Sequence, residues 1–231
     1  MSINSFDEKF SILKPISIFD RIEKIDGYEM PVIKKEHVCS NTIESLSPFN
    51  HRNVKRDSFH HDDLILFFVH DRYLNPIWNN PLLYARKYAA SCKFVGTPDF
   101  SIYPGMSKIE IFHNTYKNRY MGALFQNLGL TVFPTISWSD SSSYDICFSG
   151  VEIGANVIVS TIGCLKNQEM FLSGFNEMRK RIKPEYIFVY GSKIEGMKGN
   201  IKFLSYKDAF NTKQKQIDLF PKEKMSIQEL V

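Results

Sequence analysis

The sequence has little of what marks the simplest function classes. No run approaches the roughly 20 apolar residues that a helix needs to cross a bilayer. The longest apolar run, residues 64–69, has the length of a strand. Four cysteines (Cys39, Cys92, Cys147, Cys164) lie far apart with no CxxC pair, so they read as reduced, mostly buried thiols rather than staples. The glycines form neither GxGxxG nor a Walker A loop, which argues against ordinary dinucleotide or P-loop binding. Charge of one sign is also scarce. Lys plus Arg number 29 against 25 for Asp plus Glu, a net +4 spread along the chain, too small to announce a nucleic-acid binder. The first residues carry acids beside lysines and lack a continuous apolar core, unlike a signal peptide. The expected location is the cytoplasm.

What is present is the composition of a folded protein: 231 residues, 43% hydrophobic and 14% aromatic, which excludes a disordered chain. From residue 64 onward, short apolar runs rich in β-branched and aromatic residues alternate with amphipathic segments. The runs are residues 64–69, 93–96, 131–136, 156–162, 186–190 and 201–204. That alternation predicts an α/β fold with a mostly parallel sheet built from repeated βα units, TIM-barrel-like or an incomplete barrel. Asn80 followed by Pro81 opens a helix through Ala90. Ser107 and Glu110 have capping-box spacing, and Gly129 supplies the stop of the helix they begin. A third helix follows from the four-residue recurrence of Met170, Gly174, Met178 and Ile182, ended by Pro184, and its Met and Phe stripe reads as core.

The chain divides into an irregular N-terminal extension (residues 1–60), a βα core (61–210) and a polar tail (211–231). In the extension, residues 30–33 could add a strand, and its aromatics make it a candidate subunit contact in a homo-oligomer. His37, Cys39, His51, His60 and His61 invite a zinc site, but their spacing matches no zinc-finger pattern.

Binding and catalysis in parallel α/β sheets collect at the carboxyl ends of the strands, where loops lead into helix N-termini. Here each apolar run ends in a polar cluster: His70-Asp71-Arg72, the stretch from Thr97 to Tyr103, Ser137-Trp138-Ser139-Asp140, Ser160 to Cys164, and Tyr190-Gly191-Ser192. Asp71, Asp99 and Asp140 fall just past three different strands, where they could supply general acid/base chemistry or hold a divalent cation. Asp and Ser are also common helix caps, so each has a structural reading beside the chemical one. No cofactor is evident beyond that cation. Ser101, Tyr103, Trp138, Ser160, Tyr190 and Ser192 are candidate ligand contacts. Arg119, on the capped helix with Asn114, could reach a phosphate or simply face solvent. Cys147 and Cys164 lack a neighbouring His and read as buried thiols. Arg179-Lys180-Arg181 is a helix end favoured by the dipole before it is a nucleic-acid patch.

The ordered segments DRYLNPIWNNP, TPDFSIY, NTYKNRYMGALFQNLGLTVFPTISWSD, SYDICFSG, VIVSTIGC and YIFVYG resemble the family called domain of unknown function 4417, found in bacteria, phages and other mobile elements. The resemblance covers about residues 60 to 205. Its pattern is matched by Asp71, Trp78, Asn79 and Pro81, by Pro98 to Ser101, and by Asn114, Tyr116 and Arg119. Gln126, Gly129, Pro134, Trp138, Ser139, Asp140, Phe148, Gly150, Ser160, Gly163, Tyr190 and Gly191 match as well. Family members often have an aromatic where Phe125 stands and an acid near Ser149, so a role for that acid does not carry over. The resemblance implies a site at these positions, Asn114 and Gln126 included, and a mobile-element context; it does not imply a reaction.

Three readings follow. The first is an enzyme, a hydrolase or lyase, acting on a small nucleotide-like or phosphorylated ligand. There Asp99 and Asp140 would be acid/base groups or metal ligands, Trp138 and Tyr103 would stack, and Arg119, Ser160 and Ser192 would contact an anion. The second is a counter-defence protein that sequesters a host nucleotide signal in the same pocket without turnover. The third, a nucleic-acid-binding protein of a mobile element, rests only on the small positive charge and Arg179 to Arg181, so nucleic acid is the weakest partner. No membrane partner is expected.

Overall fold

The structure is a computed structural model that describes residues 24–25, 29–36, 45–48 and 63–204. The candidate zinc cluster, most of the N-terminal extension and the polar tail lie outside the described residues. Among the described residues there are, in chain order, the strands β1 (Lys24–Ile25), β2 (Met30–Pro31), β3 (Ser45–Pro48), β4 (Asp63–Leu66), β5 (Phe94–Gly96), β6 (Thr131–Phe133), β7 (Val157–Ser160), β8 (Ile187–Tyr190) and β9 (Ile201–Leu204). The α-helices among the described residues are α1 (Asp71–Asn79), α2 (Pro81–Ser91), α3 (Lys108–Asn127), α4 (Tyr144–Cys147) and α5 (Gln168–Ile182).

The mixed α/β class and the parallel sheet agree with the expectation from the sequence. β3, β4, β5 and β6 pair in parallel and in sequence order, as do β7, β8 and β9. β1 and β2 form a separate antiparallel pair. The two parallel sheets meet at one bridge, Thr135 to Ile158. It forms because the chain leaves β5 after Phe133: the Ile158 amide donates to the Pro134 carbonyl (2.9 Å) and the Ile136 amide donates to the Ile158 carbonyl (2.8 Å). The strand expected over 131–136 is therefore shorter and serves two sheets.

A closed barrel, one form the βα alternation could take, is not formed: among the described residues no pairing joins β9 to β3. The sheet is curled nonetheless, and alternation along each strand explains how. Leu64 and Leu66, Phe94, Phe133, Ile158, Phe188 with Tyr190, and Leu204 point to one side from six strands and form one buried cluster. The intervening Ile65, Val95 and Val132 face α1, α2 and α3, while Val157, Val159, Ile187 and Val189 face α4 and α5. The Met and Phe stripe of α5 is core, as its period implied: Phe171, Phe175, Met178 and Ile182 are buried.

The α3 capping box is complete, with the Glu110 amide donating to Ser107 Oγ (3.2 Å) and the Ser107 amide to Glu110 Oε2 (2.9 Å). Gly129 takes φ +86° just past that helix, a left-handed value suited to glycine. The helix that the prolines disguise is α1, although Tyr73, Leu74, Ile77 and Trp78 keep helical spacing. Pro76 lies inside it, and Pro81, just past its end, opens the next helix. His70 caps it by accepting from the Arg72 amide, and Leu74 and Ile77 bury its apolar face.

Candidate functional site

Because the core strands are parallel, their carboxyl ends share one rim, and a cavity of about 460 Å³ opens there. Four successive segments wall it: Phe68 and Val69 after β4, Asp99 with Ser101 to Pro104 after β5, Ile136 to Trp138 after β6, and Ser160 with Ile162 to Cys164 after β7. Asn167, Met170 and Phe171, at the start of α5, complete the lining. The volume lies within the usual range for small-molecule pockets.

Among the described residues of this lining, Asp99 is the one carboxyl. Ser137 Oγ donates to Asp99 Oδ1 at 2.5 Å. Removal from bulk water pushes the Asp99 carboxyl up to about 6, the Ser137 hydrogen bond partly opposes that shift, and the charge of Asp71 adds to it. Asp71 itself reaches the loop rather than the cavity. Its Oδ1 accepts from the Ser101 amide (3.1 Å) and Ser101 Oγ (2.9 Å), tying the start of α1 to the segment that carries Asp99. Asn114 donates from Nδ2 to the Ser101 carbonyl (2.8 Å), a second clasp on the same loop.

Beneath Asp99 runs a buried polar ladder. Thr97 Oγ1 donates to Asn118 Oδ1 (2.9 Å) and accepts from the Thr135 amide (2.8 Å), while Asn118 Nδ2 donates to the carbonyls of Pro98 (2.8 Å) and Thr135 (3.1 Å). These bonds fix the residue before Asp99 and the chain two residues before Ser137. Arg119, 2% exposed, extends the ladder: its guanidinium donates to Asn118 Oδ1 and to the carbonyls of Thr135, Cys147 and Ser149. Burial lowers it to about 10. Four hydrogen bonds hold its guanidinium to these groups, and its side chain lies outside the 460 Å³ lining.

The remaining expected site residues separate in the same way. Ser101, Tyr103, Trp138 and Ser160 join Asp99 in the lining. Tyr103 is 56% exposed at the mouth, and Trp138 packs against Phe171 with ring centroids 5.2 Å apart. Ser160 Oγ accepts from the Ile162 amide (3.1 Å). Asp140 stays outside: it is exposed, caps a short 3-10 turn by accepting from the Ser142 amide, and that bond lowers its carboxyl below the usual range. Gln126 exchanges hydrogen bonds with the Lys34 backbone (2.8 and 2.9 Å), holding the segment after β2. Tyr190 is buried and stacks on Phe68 at 4.6 Å, and the Ser192 carbonyl accepts from Thr161 Oγ1. Neither Tyr190 nor Ser192 reaches the cavity.

The sequence reading missed Ser137 as a partner and Phe68, Asn167, Met170 and Phe171 as wall. Met170 and Phe171 belong to a stripe that reads as core, and only the closeness of the first turn of α5 to the strand ends turns them toward the site. Cys164 is half-buried in the lining, and desolvation, then the nearby Asp99 charge, push its thiol up, so it rests protonated. Among the described residues of the lining there is no His to activate it. Among the described residues no group of three or more His, Cys, Asp or Glu is placed to hold a metal ion, and no helix is long and apolar enough to cross a membrane.

A family model described as Domain of unknown function (DUF4417) matches residues 22–207. The Gene 1 protein of Mycobacterium phage L5 is 28% identical over 189 residues, covering 79% of this chain and 78% of that protein. The Gene 1 protein of Mycobacterium phage D29 is 33% identical over 169 residues, covering 71% of this chain and 61% of that protein, less than two thirds of its length. No solved structure matches the chain.

Proposed function

The chain belongs to the family described as Domain of unknown function (DUF4417), and from that membership we propose that it is a phage or mobile-element accessory protein that binds a small nucleotide-like ligand in the strand-end cavity. The observation that carries this reading is a single desolvated carboxyl, Asp99, set among aromatic walls. The similarity to two mycobacteriophage proteins supports the context. Tyr103, Trp138 and Phe171 offer faces for a planar ring, and Ser101, Ser160 and Asn167 offer polar contacts around it. In this reading the curled sheet is an incomplete barrel whose strand ends carry the site.

A second reading, turnover of that ligand, is favoured by the same carboxyl. An acid that titrates at about 6 is poised to give and take a proton near neutrality, so Asp99 would be the general acid/base of a hydrolase or lyase. Asp140 has no part in either reading, because it caps a turn away from the cavity.

The test is incubation of the purified chain with a panel of linear and cyclic nucleotides and nucleosides, followed by mass analysis. Turnover identifies the enzyme, and stoichiometric release of intact ligand on denaturation identifies the binder. Neither outcome with any member of the panel overturns the proposal. Asp99→Ala is expected to abolish binding or turnover with the melting temperature nearly unchanged, whereas a large fall in melting temperature would make Asp99 a structural residue.

A further inference from the structure

We propose that the cavity takes the amino-bearing edge of an uncharged nucleobase or nucleoside of the adenine or cytosine kind, and disfavours a phosphate. This deepens the nucleotide-like reading and rests on it. The argument begins with the charge of the lining. Among the described residues whose side chains line the cavity none is Lys, Arg or His, and the one acid is Asp99. Two cations near the lining are held by other groups, while Lys166, beside Asn167, is exposed outside the lining. Arg119 is buried against backbone carbonyls, and Lys117 lies with its ammonium 3.9 Å from the centre of the Phe100 ring. A phosphate monoester carries a charge of about −1.5 to −2 at neutral pH, and inside this lining it would meet the Asp99 carboxylate with no counter-charge. The start of α5, where Asn167 makes no side-chain capping bond, is the electropositive feature at the rim. A helix start by itself is weak and screened by salt.

The same carboxyl selects for a donor. Ser137 already donates to Oδ1, so the remaining lone pairs of Asp99 seek N–H groups from whatever occupies the cavity. An exocyclic amino group meets that need. A carbonyl at the same place on the ring would set acceptor against acceptor once Asp99 is ionised, and a buried unmatched pair of that kind is costly. Desolvation bears most on Asp99's ionisation, then Ser137 by hydrogen bond and Asp71 by charge; the Cys164 thiol lines the same cavity. Around that edge Trp138, Phe171 and Tyr103 supply the flat apolar walls that a base requires and a phosphate does not.

The experiment is calorimetric titration of the full chain with adenosine, cytidine, inosine, uridine and the 5′-monophosphates of adenosine and cytidine, at about pH 8 where Asp99 is ionised. The expected result is that adenosine or cytidine binds at least about tenfold tighter than its carbonyl counterpart and than its own monophosphate. Monophosphates binding as tightly as the nucleosides, or inosine and uridine matching adenosine and cytidine, would overturn this inference and leave the nucleotide-like reading standing. Heat from none of the six compounds would overturn both.

Discussion

A solvated aspartate ionises near 4, and Asp99 is moved from 3.8 to about 6 chiefly by desolvation. The native state therefore holds that proton more tightly than the unfolded chain does. Stability from this group is present at low pH and declines as pH rises from about 4 to about 6, after which the cost of the buried charge is complete. Asp99→Asn keeps an oxygen for Ser137 to donate to and removes the charge. It is expected to raise unfolding stability at pH 8 by roughly 1–2 kcal/mol and to leave it unchanged at pH 4. Urea denaturation at the two pH values checks this, and an equal effect at both would show that ionisation of Asp99 costs the fold nothing. Asp99, Tyr103 and Trp138 could be read from the sequence because each follows a strand. Arg119 could not, since nothing local reveals whether a helical arginine meets solvent or four buried acceptors.

The elements that bring these residues together are α3 and α5, and each shows its packing at a glycine. Gly122 of α3 leaves room for Ile33 and Thr97, which a β-carbon there would overlap. Gly174 of α5 does the same for the indole of Trp138. Gly174→Ala is thus expected to displace Trp138 from its seat beside Phe171 at a cost of about 1–3 kcal/mol, outweighing the gain in helix propensity. The checks are chemical denaturation and the tryptophan emission maximum, together with ligand affinity, which should fall with the moved wall. An unshifted emission spectrum would mean that α5 itself moves instead. In the sequence the Gly174 position looks like one more member of a four-residue core repeat. That it is small to admit an indole from the β6 loop is a property of two elements in contact.

For the molecule as a whole, cohesion depends on the inner cluster, because among the described residues backbone pairing between the two parallel sheets comes down to the bridge at Thr135 and Ile158. Phe133 and Phe188 meet edge to face with centroids 5.3 Å apart, and Phe68 stacks on Tyr190 across the same seam. Phe188→Ala is expected to cost about 3–5 kcal/mol, as other large-to-small core changes do. Loss of structure should still be one transition. Trp78 packs with the helices around β4 to β6 and Trp138 with those around β7 and β8, so fluorescence from single-tryptophan variants can be compared with circular dichroism. Coincident curves are the expected outcome; separated midpoints would show two halves that fold independently.

The sequence by itself determined the local and periodic features: the α/β class, the capped helix α3, the buried stripe of α5, and a rim of polar residues at strand ends. Hydrogen-bonding capacity, side-chain period and backbone freedom are properties of neighbouring residues, and they leave a direct trace in the order of the chain. Only the tertiary structure decided that Asp140 caps a turn while Asp99 lies in the cavity, that Arg119 is spent on carbonyls, and that Ser137, rather than a second acid, is the partner of Asp99. It also decided that β6 divides its pairing between two sheets, leaving the sheet curled but open among the described residues. Those outcomes depend on which residues distant in sequence end within about 3 Å of one another and on how much water is excluded from between them. Neither quantity is written in the spacing of residues along the chain.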